Sequence, residues 1–543
     1  MKLKSIAVML ALLMLASSFT ACGKAKSTST QQSSGTTVDS NGKYVNPVVI
    51  TIGRDSPVNV GYPAGDTVEN NQFIKAIKDR YNIEIKYDWL VALTDYNAKV
   101  NLSIASGDVP DVMLINQQSQ VGQLVEANMT EDLLPAYNKM ASTLVKDRFD
   151  SFGDRKFTTG MFNGKLLALP NNNIAYGFNL LWVRQDWLKK VGAQPPKTLD
   201  DVVNLAKTFM DKDPGGNGAG KTIGITCNSI IAGTYAARHA MDPIFAVYNS
   251  FPRSWIKDAS GKYSYGTIAP ETKAALAELA EMYKAGLIDE GFATSKVEDE
   301  DALIVSGKAG MMFGGWWLGG NPLTNQIKNN PQADWIALQA PLDAKGVYKV
   351  PSQNPHTAWL VVKKGYENPE AVFKVLNFEY AWARRADPEI SKIYDGQNIL
   401  INAIPINIAI EFENIIPQMY ERLINAVNTK DASKLSIEEK LYYNAYITDK
   451  ANPKKDVTAW SVATSRFTGM GVASLPVKIA SFGFPVTTKT METKWANLQK
   501  LENEIMLKIV LGESPVSSFD TFVEQWKQQG GDEITKEVNA QLK

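Results

Sequence analysis

Apolar residues in this chain form short runs, and the spacing within each run indicates a type of element. Val48 to Ile52 is a nearly continuous apolar run typical of a buried strand, and Ile83 to Tyr87 alternates as a second strand does. Asp111 to Ile115 predicts a third strand. The apolar spacing over Asn71 to Tyr81 and over Asp95 to Ser106 predicts two intervening helices. This alternation predicts a parallel α/β sheet with right-handed crossovers.

Polar and aromatic residues stand directly after these predicted strands. In open parallel sheets, ligands bind beyond the carboxyl ends of the strands. We therefore expect ligand contacts from five residues, which are Arg54, Asp55, Trp89, Asn116 and Gln117.

A second α/β region begins near Tyr176. Thr198 has the side chain of a helix N-cap, and Asp201 stands at the capping-box position three residues later. The pattern predicts strands over 178–183 and 223–226, helices over 186–191, 199–210 and 270–285, a strand and helix within 357–378, and a mostly helical tail over 493–542.

The N-terminus has the pattern of an export signal. Lys2 and Lys4 precede an apolar run from Ile6 to Leu15, which is shorter than the roughly 20 residues that span a bilayer. Small residues lead into Cys22, so we expect residues 1–21 to be a cleaved lipoprotein signal peptide and Cys22 to be lipidated. There are two alternatives: an ordinary signal peptide with an incidental cysteine, or a short membrane anchor.

The segment that follows Cys22 is strongly polar. Gly23 to Lys43 contains almost no apolar residue before Val38, and it cannot bury enough surface to offset the entropy of ordering. We expect residues 22–45 to be a flexible tether. A lipid anchor and tether predict a protein held at the outer face of the cell membrane.

Composition limits the classes of function. The 543 residues exceed what one core can organise, which predicts at least two lobes of roughly 200 to 250 residues. Lys plus Arg and Asp plus Glu both number 57, so nothing indicates a nucleic-acid partner. With Cys22 lipidated, Cys227 has no disulfide partner. The two histidines, His239 and His356, are far apart, which argues against a His/Cys metal centre, and we expect no cofactor.

A glycine-rich loop matches a phosphate-binding string. Gly215 to Thr222 has the form Gly-x4-Gly-Lys-Thr, which alone would suggest an ATPase. That site needs a strand before the loop and a helix after it. Here a predicted helix precedes the loop and a predicted strand follows it, so the pattern favours a solvated turn.

Three motifs, in this order, resemble a known family. The first is Asn163 to Pro170, which continues in 181–188 and 196–199. The second is Ser306 to Trp317, which contains Met311-Met312-Phe313 and the turn Gly314-Gly315. The third is 519–532 in the tail. They resemble the substrate-binding lipoproteins of ABC importers, the family-1 extracellular solute-binding proteins that are similar to maltose-binding protein, and among them the long LipO-type subgroup. The similarity extends over nearly all of the mature chain.

The resemblance implies a two-lobe periplasmic-binding-protein-like fold of type II, with a hinge between the lobes. It implies a monomer that does no covalent chemistry, binds an oligosaccharide in the cleft and docks on the transmembrane subunits of an ABC permease. Because the family's chain weaves between lobes, we expect lobe 1 to hold residues 46–170 plus about 354–415. Lobe 2 then holds 171–353 plus about 416–543.

The resemblance also selects aromatic residues for the cleft. Trp316 and Trp317 follow a glycine pair, and a flat ring there can cover the C–H face of a pyranose; by the family correspondence Trp317 is the stronger candidate. The alternative is that both pack within a lobe, as we expect for Trp182 and Trp187. Further cleft candidates are Tyr176, His356, Trp359 and Trp89, which follows a strand.

The glycine-rich loop is also similar to the calcium loop of some long relatives. Asp213 and Asn217 fit that pattern, and Asp211 is a further candidate, but Gly215 and Lys221 replace two carboxylates. Calcium takes 6 to 8 oxygen ligands, so we expect no metal here.

Two other functions remain open at this point. A peptide could replace the sugar as ligand, and an exported glycan-degrading enzyme would need a carboxylate pair in the cleft. The only acidic run, Glu298 to Asp301, points in several directions on a predicted helix and indicates a solvated face or a helix start. Neither the sugar nor its linkage follows from the sequence.

Overall fold

A computed structural model describes residues 37–542, apart from 58–59, 173, 175–177, 236, 353, 396–398, 400, 481 and 486. The predicted signal peptide and Cys22 lie outside the described residues, as does Tyr176. Among the helices that are described, none is both long and apolar enough to span a bilayer.

The strands are short and are spread over the whole chain. In chain order they are β1 Val48–Asp55, β2 Ile83–Val91, β3 Val112–Ile115, β4 Met161–Phe162, β5 Lys165–Leu166, β6 Leu169–Pro170, β7 Leu180–Arg184, β8 Trp255–Lys257, β9 Tyr263–Tyr265, β10 Met311–Gly314, β11 Trp335–Leu338, β12 Lys349–Pro351, β13 Trp359–Val362, β14 Lys478–Ala480 and β15 Phe482–Gly483.

Helices carry most of the remaining chain. They are α1 Gln72–Tyr81, α2 Tyr96–Ser106, α3 Gln118–Glu126, α4 Leu134–Met140, α5 Thr143–Asp150, α6 Gln185–Val191, α7 Leu199–Lys212, α8 Asp242–Val247, α9 Pro270–Lys284, α10 Val297–Val305, α11 Leu323–Asn329, α12 Pro369–Ala383, α13 Ile415–Thr429, α14 Ile437–Ala451, α15 Val457–Ala463, α16 Met470–Ala473, α17 Lys489–Val510, α18 Ser518–Trp526 and α19 Asp532–Gln541.

The first sheet has the strand order β2-β1-β3-β13-β6. β1 pairs in parallel with β2 and with β3, as the alternation of strands and helices predicts. β13 returns from much later in the chain and pairs antiparallel with β3 and β6. Alternate residues of β3 and β13 face two separate apolar clusters, so both faces of the sheet are covered.

The second sheet has the order β10-β7-β11, with both neighbours antiparallel to β7. All five residues of β7 are buried, and the first four, Leu180 to Val183, form a continuous apolar run. The C-terminal helices pack beside this sheet. A π-helical segment, Thr464–Gly469, follows α15, and a kink at Gly530, whose φ is 129°, separates α18 from α19.

The buried apolar residues divide into two core regions. The first core region holds the clusters on both faces of the first sheet and draws on residues 44–169 and 359–410. The second core region draws on residues 178–350 and 415–538. The chain passes between the two regions around residues 170–178, 351–358 and 411–414, which are the crossing segments.

Side-chain caps begin two of the helices, and the cap of α7 confirms a sequence prediction. Asn71 caps α1, because its side chain accepts hydrogen bonds from the backbone amides of Phe73 and Ile74. Thr198 and Asp201 form the predicted capping box of α7. Trp182 and Trp187 are fully buried, as expected for core residues.

Three features differ from the sequence predictions. Residues 223–226 form isolated bridges to Ala309 and Ile288 rather than a strand. α10 begins at the acidic run, but Glu300 and Asp301 are buried instead of solvated, and burial raises the pKa of Glu300 to about 7. The last residues of the predicted tether are folded, because Val38 bridges to Tyr44 and Tyr44 is 5% exposed in the first core region.

Candidate functional site

Strand register brings most of the predicted ligand-binding positions to one edge of the first sheet. Asp55 pairs with Val91 at the ends of β1 and β2. Trp359, the first residue of β13, pairs with Ile115 at the end of β3 and with Pro170 at the end of β6. The chain leaves the first core region after Pro170 and returns just before Trp359. The predicted edge therefore faces the crossing segments.

Asparagines join the crossing segments to one another. The Asn171 carboxamide oxygen accepts from the backbone amides of Thr357 and Ala358 at 2.7 and 3.0 Å. The backbone amide of Asn171 donates to the Ala358 carbonyl at 2.8 Å, and that of Asn172 donates to Ala409 at 2.9 Å. The first two crossing segments thus form one hydrogen-bonded unit, which is also bonded to the chain two residues before the third.

The tryptophan pair lies at the facing edge of the second sheet. Gly314, the last residue of β10, pairs with Leu180, the first residue of β7, which directly follows a crossing segment. Trp316 and Trp317 occupy the 3-10 turn that comes next. Both are partly exposed, and their rings meet edge to face with centroids 5.8 Å apart.

Buried groups hold that turn in position. The indole N–H of the core residue Trp182 donates to the Gly315 carbonyl at 3.1 Å. The Trp317 ring lies directly on Gly315, since a Cβ built there would come within 2.1 Å of it. The Ser465 hydroxyl donates to the Trp317 carbonyl at 3.3 Å, which joins the turn to the π-helical segment.

Arg54 is occupied by the protein's own backbone. Its guanidinium is 4% exposed and donates to the carbonyls of Ile404 at 2.7 Å, Pro405 at 3.1 Å and Asn402 at 3.1 Å. It therefore fastens the segment that leads into the third crossing. A direct contact from Arg54 to a ligand stays a prediction, and its structural role explains its burial without one.

The other predicted residues of this edge differ in exposure. Asn116 and Gln117 are exposed where β3 leads into α3, and Asp55 is about one-third exposed. Trp89 is buried at 9% exposure, with its ring against Gly53 and 5.6 Å from Tyr96. Asn116, Gln117 and Asp55 are thus available at the edge, whereas Trp89 packs beneath it.

His356 and Trp359 are joined through Thr159. The Trp359 indole N–H donates to the Thr159 hydroxyl at 2.8 Å, and that hydroxyl lies 2.8 Å from His356 Nδ1. The hydroxyl accepts from the indole N–H, and its proton and second lone pair are both available to Nδ1, so the tautomer of His356 sets the direction of that contact. Burial lowers the pKa of His356 to about 4, so its imidazole is neutral at neutral pH. Both rings are at most 3% exposed.

An ion-pair chain that the sequence did not reveal connects the two core regions. Glu411, in the third crossing segment, pairs with Arg148 at 3.2 Å and also with Arg384. Arg384 reaches Glu438 of α14 at 3.3 Å, and Glu438 accepts from the Tyr442 hydroxyl at 2.6 Å. These residues lie up to about 300 positions apart in the sequence, so no local pattern indicates them.

The chain of contacts ends at the tryptophan pair. An Arg466 N–H donates to the Tyr442 hydroxyl at 3.2 Å. The Arg466 guanidinium lies over both the Tyr442 ring, at 4.3 Å, and the Trp316 ring, at 4.6 Å. One face of Trp316 is therefore covered by protein.

The glycine-rich loop closes on itself. The Asp213 carboxylate accepts from the Thr222 hydroxyl at 2.6 Å and from the amides of Asn217 and Gly218 at 3.0 and 2.8 Å. The Thr222 hydroxyl, together with these amides, lowers the pKa of Asp213. No group of three acidic, histidine or cysteine side chains suited to a metal occurs within the described ranges. Asp211 lies exposed at the end of α7, and the absence of calcium from this loop stays a prediction.

His239 belongs to a separate buried cluster in the second core region. Its Nε2 lies 2.9 Å from Asp301, its Nδ1 lies 2.8 Å from the Thr226 hydroxyl, and Asp301 also pairs with Arg238. Burial lowers the pKa of His239, so Asp301 neutralises Arg238 rather than an imidazolium. This arrangement explains why part of the acidic run is buried.

Comparison with curated proteins finds relatives of similar length. The chain is 23% identical over 478 residues to lipoprotein LipO of Bacillus subtilis (strain 168), covering 86% of this chain and 88% of that protein. It is 23% identical over 274 residues to the polygalacturonan/rhamnogalacturonan-binding protein YtcQ of the same strain, covering 48% and 51%. It is 29% identical over 147 residues to the fructooligosaccharide ABC transporter substrate-binding protein FusA of Streptococcus pneumoniae serotype 4 (strain ATCC BAA-334 / TIGR4), covering 25% and 27%.

Solved structures share the fold. The alginate-binding protein AlgQ2 without calcium ion superposes with a TM-score of 0.62 at 17% identity, covering 93% of this chain and 100% of that one. The two core regions and their crossing segments are thus the two-lobe architecture of such proteins. The family model described as bacterial extracellular solute-binding protein matches residues 64–380, more than half of the sequence. The chain belongs to the bacterial extracellular solute-binding protein family.

Proposed function

We propose that this chain captures an oligosaccharide between its two lobes and delivers it to the transmembrane subunits of an ABC permease. Its relatives include binding proteins whose names give a polygalacturonan, a rhamnogalacturonan and a fructooligosaccharide as ligands, and one is named as part of an ABC transporter. The observation that carries the proposal is the partly exposed Trp316–Trp317 pair. It lies at the lobe edge beside the crossing segments.

The geometry suits a pyranose. The Trp317 ring packs on Gly315, which holds it in one orientation. Unlike Trp316, it is not covered by Arg466. A fixed aromatic face can cover the C–H face of a sugar ring, while amides such as Asn116 and Gln117 across the cleft bond its hydroxyls. Trp317 is therefore the stacking residue of the proposal, with Asp55, Asn116 and Gln117 as its polar counterparts.

The lobe boundaries belong to the proposal. Lobe 1 comprises residues 46–170 plus about 354–415, and lobe 2 comprises 171–353 plus about 416–543. The two separate apolar core regions support this division. Closure by rotation of one lobe against the other would bring Trp317 toward the edge of the first sheet.

The cellular setting is proposed from the sequence pattern. Cys22 carries the lipid, the polar segment up to about residue 37 serves as the tether, and the monomeric protein works at the outer face of the cell membrane. The protein binds its cargo without converting it. The relatives named above are binding proteins, which supports the absence of turnover.

The test is a thermal-shift screen of the purified protein against oligosaccharides, their monomers and a peptide pool, with product formation followed in parallel. A ligand that binds only the folded state adds RT ln(1 + [L]/Kd) to stability, about 2.7 kcal/mol at a hundredfold excess over Kd. We expect one class of glycan to raise the melting temperature saturably and to yield no product. A shift with peptides alone, or consumption of the glycan, would replace the proposal with a peptide-binding or an enzymatic function.

Trp317→Ala tests the stacking role. The variant should fold and lose at least tenfold in glycan affinity, because the ring contributes both apolar area and a specific contact. Trp495→Ala is the matched control: Trp495 is also partly buried in the second core region, where it packs against Trp255 and Tyr265. Equal affinity losses in the two variants would remove Trp317 from the site.

A further inference from the structure

Within the described part of the chain, Arg466 has no carboxylate partner, in contrast to the other arginines. The chain contains 11 arginines, and ten of them have a carboxylate oxygen within 4.0 Å. Among the described residues, Arg466 contacts only the Tyr442 hydroxyl and the Met470 sulfur by hydrogen bonds, at 3.2 and 3.7 Å. A guanidinium has five N–H donors, so three of them face no protein acceptor in this part of the chain.

The guanidinium is nevertheless held rigidly. It lies over the rings of Trp316 and Tyr442, whose centroids lie 4.6 and 4.3 Å from its central carbon. A guanidinium is planar and its N–H groups lie in that plane, so its free donors point outward from its edge. A preorganised planar fork of this kind matches the two oxygens of a carboxylate.

A second unpaired donor belongs to Trp316, whose ring lies against the Arg466 guanidinium. The Trp316 indole Nε1 is buried and has no hydrogen-bond partner among the described residues. An indole N–H can only donate, and leaving such a buried donor unpaired is unfavourable. The guanidinium edge and the indole N–H therefore present two groups that both require an acceptor.

The charges around Arg466 do not cancel. The chain of contacts that leads to Arg466 contains three guanidinium groups, those of Arg148, Arg384 and Arg466, and two carboxylates, those of Glu411 and Glu438. Glu438 already accepts from Arg384 and Tyr442. One positive charge is left over at the boundary between the lobes, beside the ring proposed to stack on the sugar.

We infer that Arg466, with the Trp316 N–H, binds the carboxylate of a hexuronic acid residue in the captured oligosaccharide. The inference rests on the proposed function and specifies its substrate class as acidic glycans. It also divides the roles of the tryptophan pair. Trp317 stacks on a sugar ring, whereas Trp316 holds Arg466 and contributes its N–H.

The first experiment needs no variant. Calorimetric titration compares trimers of galacturonic, mannuronic and glucuronic acid with their fully methyl-esterified forms, which are neutral but keep the ring and its hydroxyls. At least one acid should bind ten times more tightly than its ester, and added salt should weaken the acid alone. Equal binding of acid and ester would overturn the inference.

The second experiment changes the arginine. Arg466→Gln should lower affinity for the acid by about 10- to 100-fold and leave the ester unchanged, since charge-assisted hydrogen bonds are lost only for the acid. Arg466→Lys keeps the charge without the planar fork, so its affinity for the acid should lie between those of the wild type and Arg466→Gln. Arg80→Gln removes an arginine that pairs with Asp387 in lobe 1 and should change neither affinity. A parallel loss for acid and ester in Arg466→Gln would overturn the inference in favour of a structural role.

The outcomes separate this inference from the function on which it rests. If neutral oligosaccharides bind and the uronic acid trimers do not, the acidic specificity is wrong and the carbohydrate proposal stands. If no glycan of either kind binds while peptides do, the carbohydrate proposal itself fails.

Discussion

Glu379 of α12 is a buried carboxyl whose ionisation should govern how stability varies with pH. It is 1% exposed; its Oε1 accepts from the Ile406 amide at 2.8 Å, and its Oε2 has no partner among the described residues. Burial raises the pKa of Glu379 to about 8 from the ordinary 4.5, although backbone amides and Arg54 act in the opposite direction. The folded protein therefore keeps the proton at neutral pH.

The sign and size of the effect follow from this shift. The unfolded chain releases the proton near pH 4.5, whereas the folded chain holds it until about pH 8. The stabilisation is complete below pH 4.5 and is lost as the pH rises, by about 1.4 kcal/mol per unit. Between pH 5 and pH 9 the loss is on the order of 4 kcal/mol. Glu379→Gln keeps the acceptor for Ile406 but removes the titration.

Scanning calorimetry from pH 5 to pH 9 measures the difference in unfolding temperature between the wild type and Glu379→Gln. Wild type and Glu379→Gln should unfold at similar temperatures at pH 5, and the variant should become progressively more stable above that. Glu370→Gln is the control, because Glu370 lies on the same helix but is partly exposed and pairs with Lys139. Parallel pH profiles for wild type and Glu379→Gln would refute the reasoning.

Three further changes test particular contacts. Gly315→Ala puts a Cβ within 2.1 Å of the Trp317 ring and should weaken glycan binding about tenfold with little change in stability; unchanged affinity would contradict the placement of the ring. Thr159→Val leaves the Trp359 N–H and His356 without their shared hydroxyl and should cost about 2 kcal/mol of unfolding free energy in denaturant titration. Asp213→Ala should lower the melting temperature by a few degrees, and millimolar calcium should leave that of the wild type unchanged; stabilisation by calcium would contradict the closed loop.

Local signals in the sequence predicted the elements that depend on neighbouring residues. The β1 to β3 region and α1 followed from apolar spacing, and the start of α7 followed from Thr198, whose side chain bonds an amide three residues away. The turn after β10 and its tryptophans were visible as a glycine pair. Each of these features is determined within a few residues.

The remaining features depend on distant parts of the chain. Arg54 follows a strand, as a ligand-binding residue would, but its donors are taken by carbonyls about 350 residues later. The acidic run was expected on a solvated face or at a helix start; it does begin α10, but Asp301 is buried and neutralises Arg238. Arg466 gave no signal at all, because its lack of a carboxylate partner is a property of the folded molecule. A π-helical segment, which often marks a functional position, likewise has no simple sequence signature.

The antiparallel strand β13 has a consequence for the order in which the chain can fold. β6 joins the first sheet only through β13, which follows it by about 190 residues. Until that strand is available, the outer edge of β3 has no neighbour and its backbone groups remain open to pairing with other chains. A fragment that ends at Pro170 should therefore aggregate. In a protein exported from its N-terminus, the first lobe can reach its native packing only after most of the second lobe has also crossed the membrane.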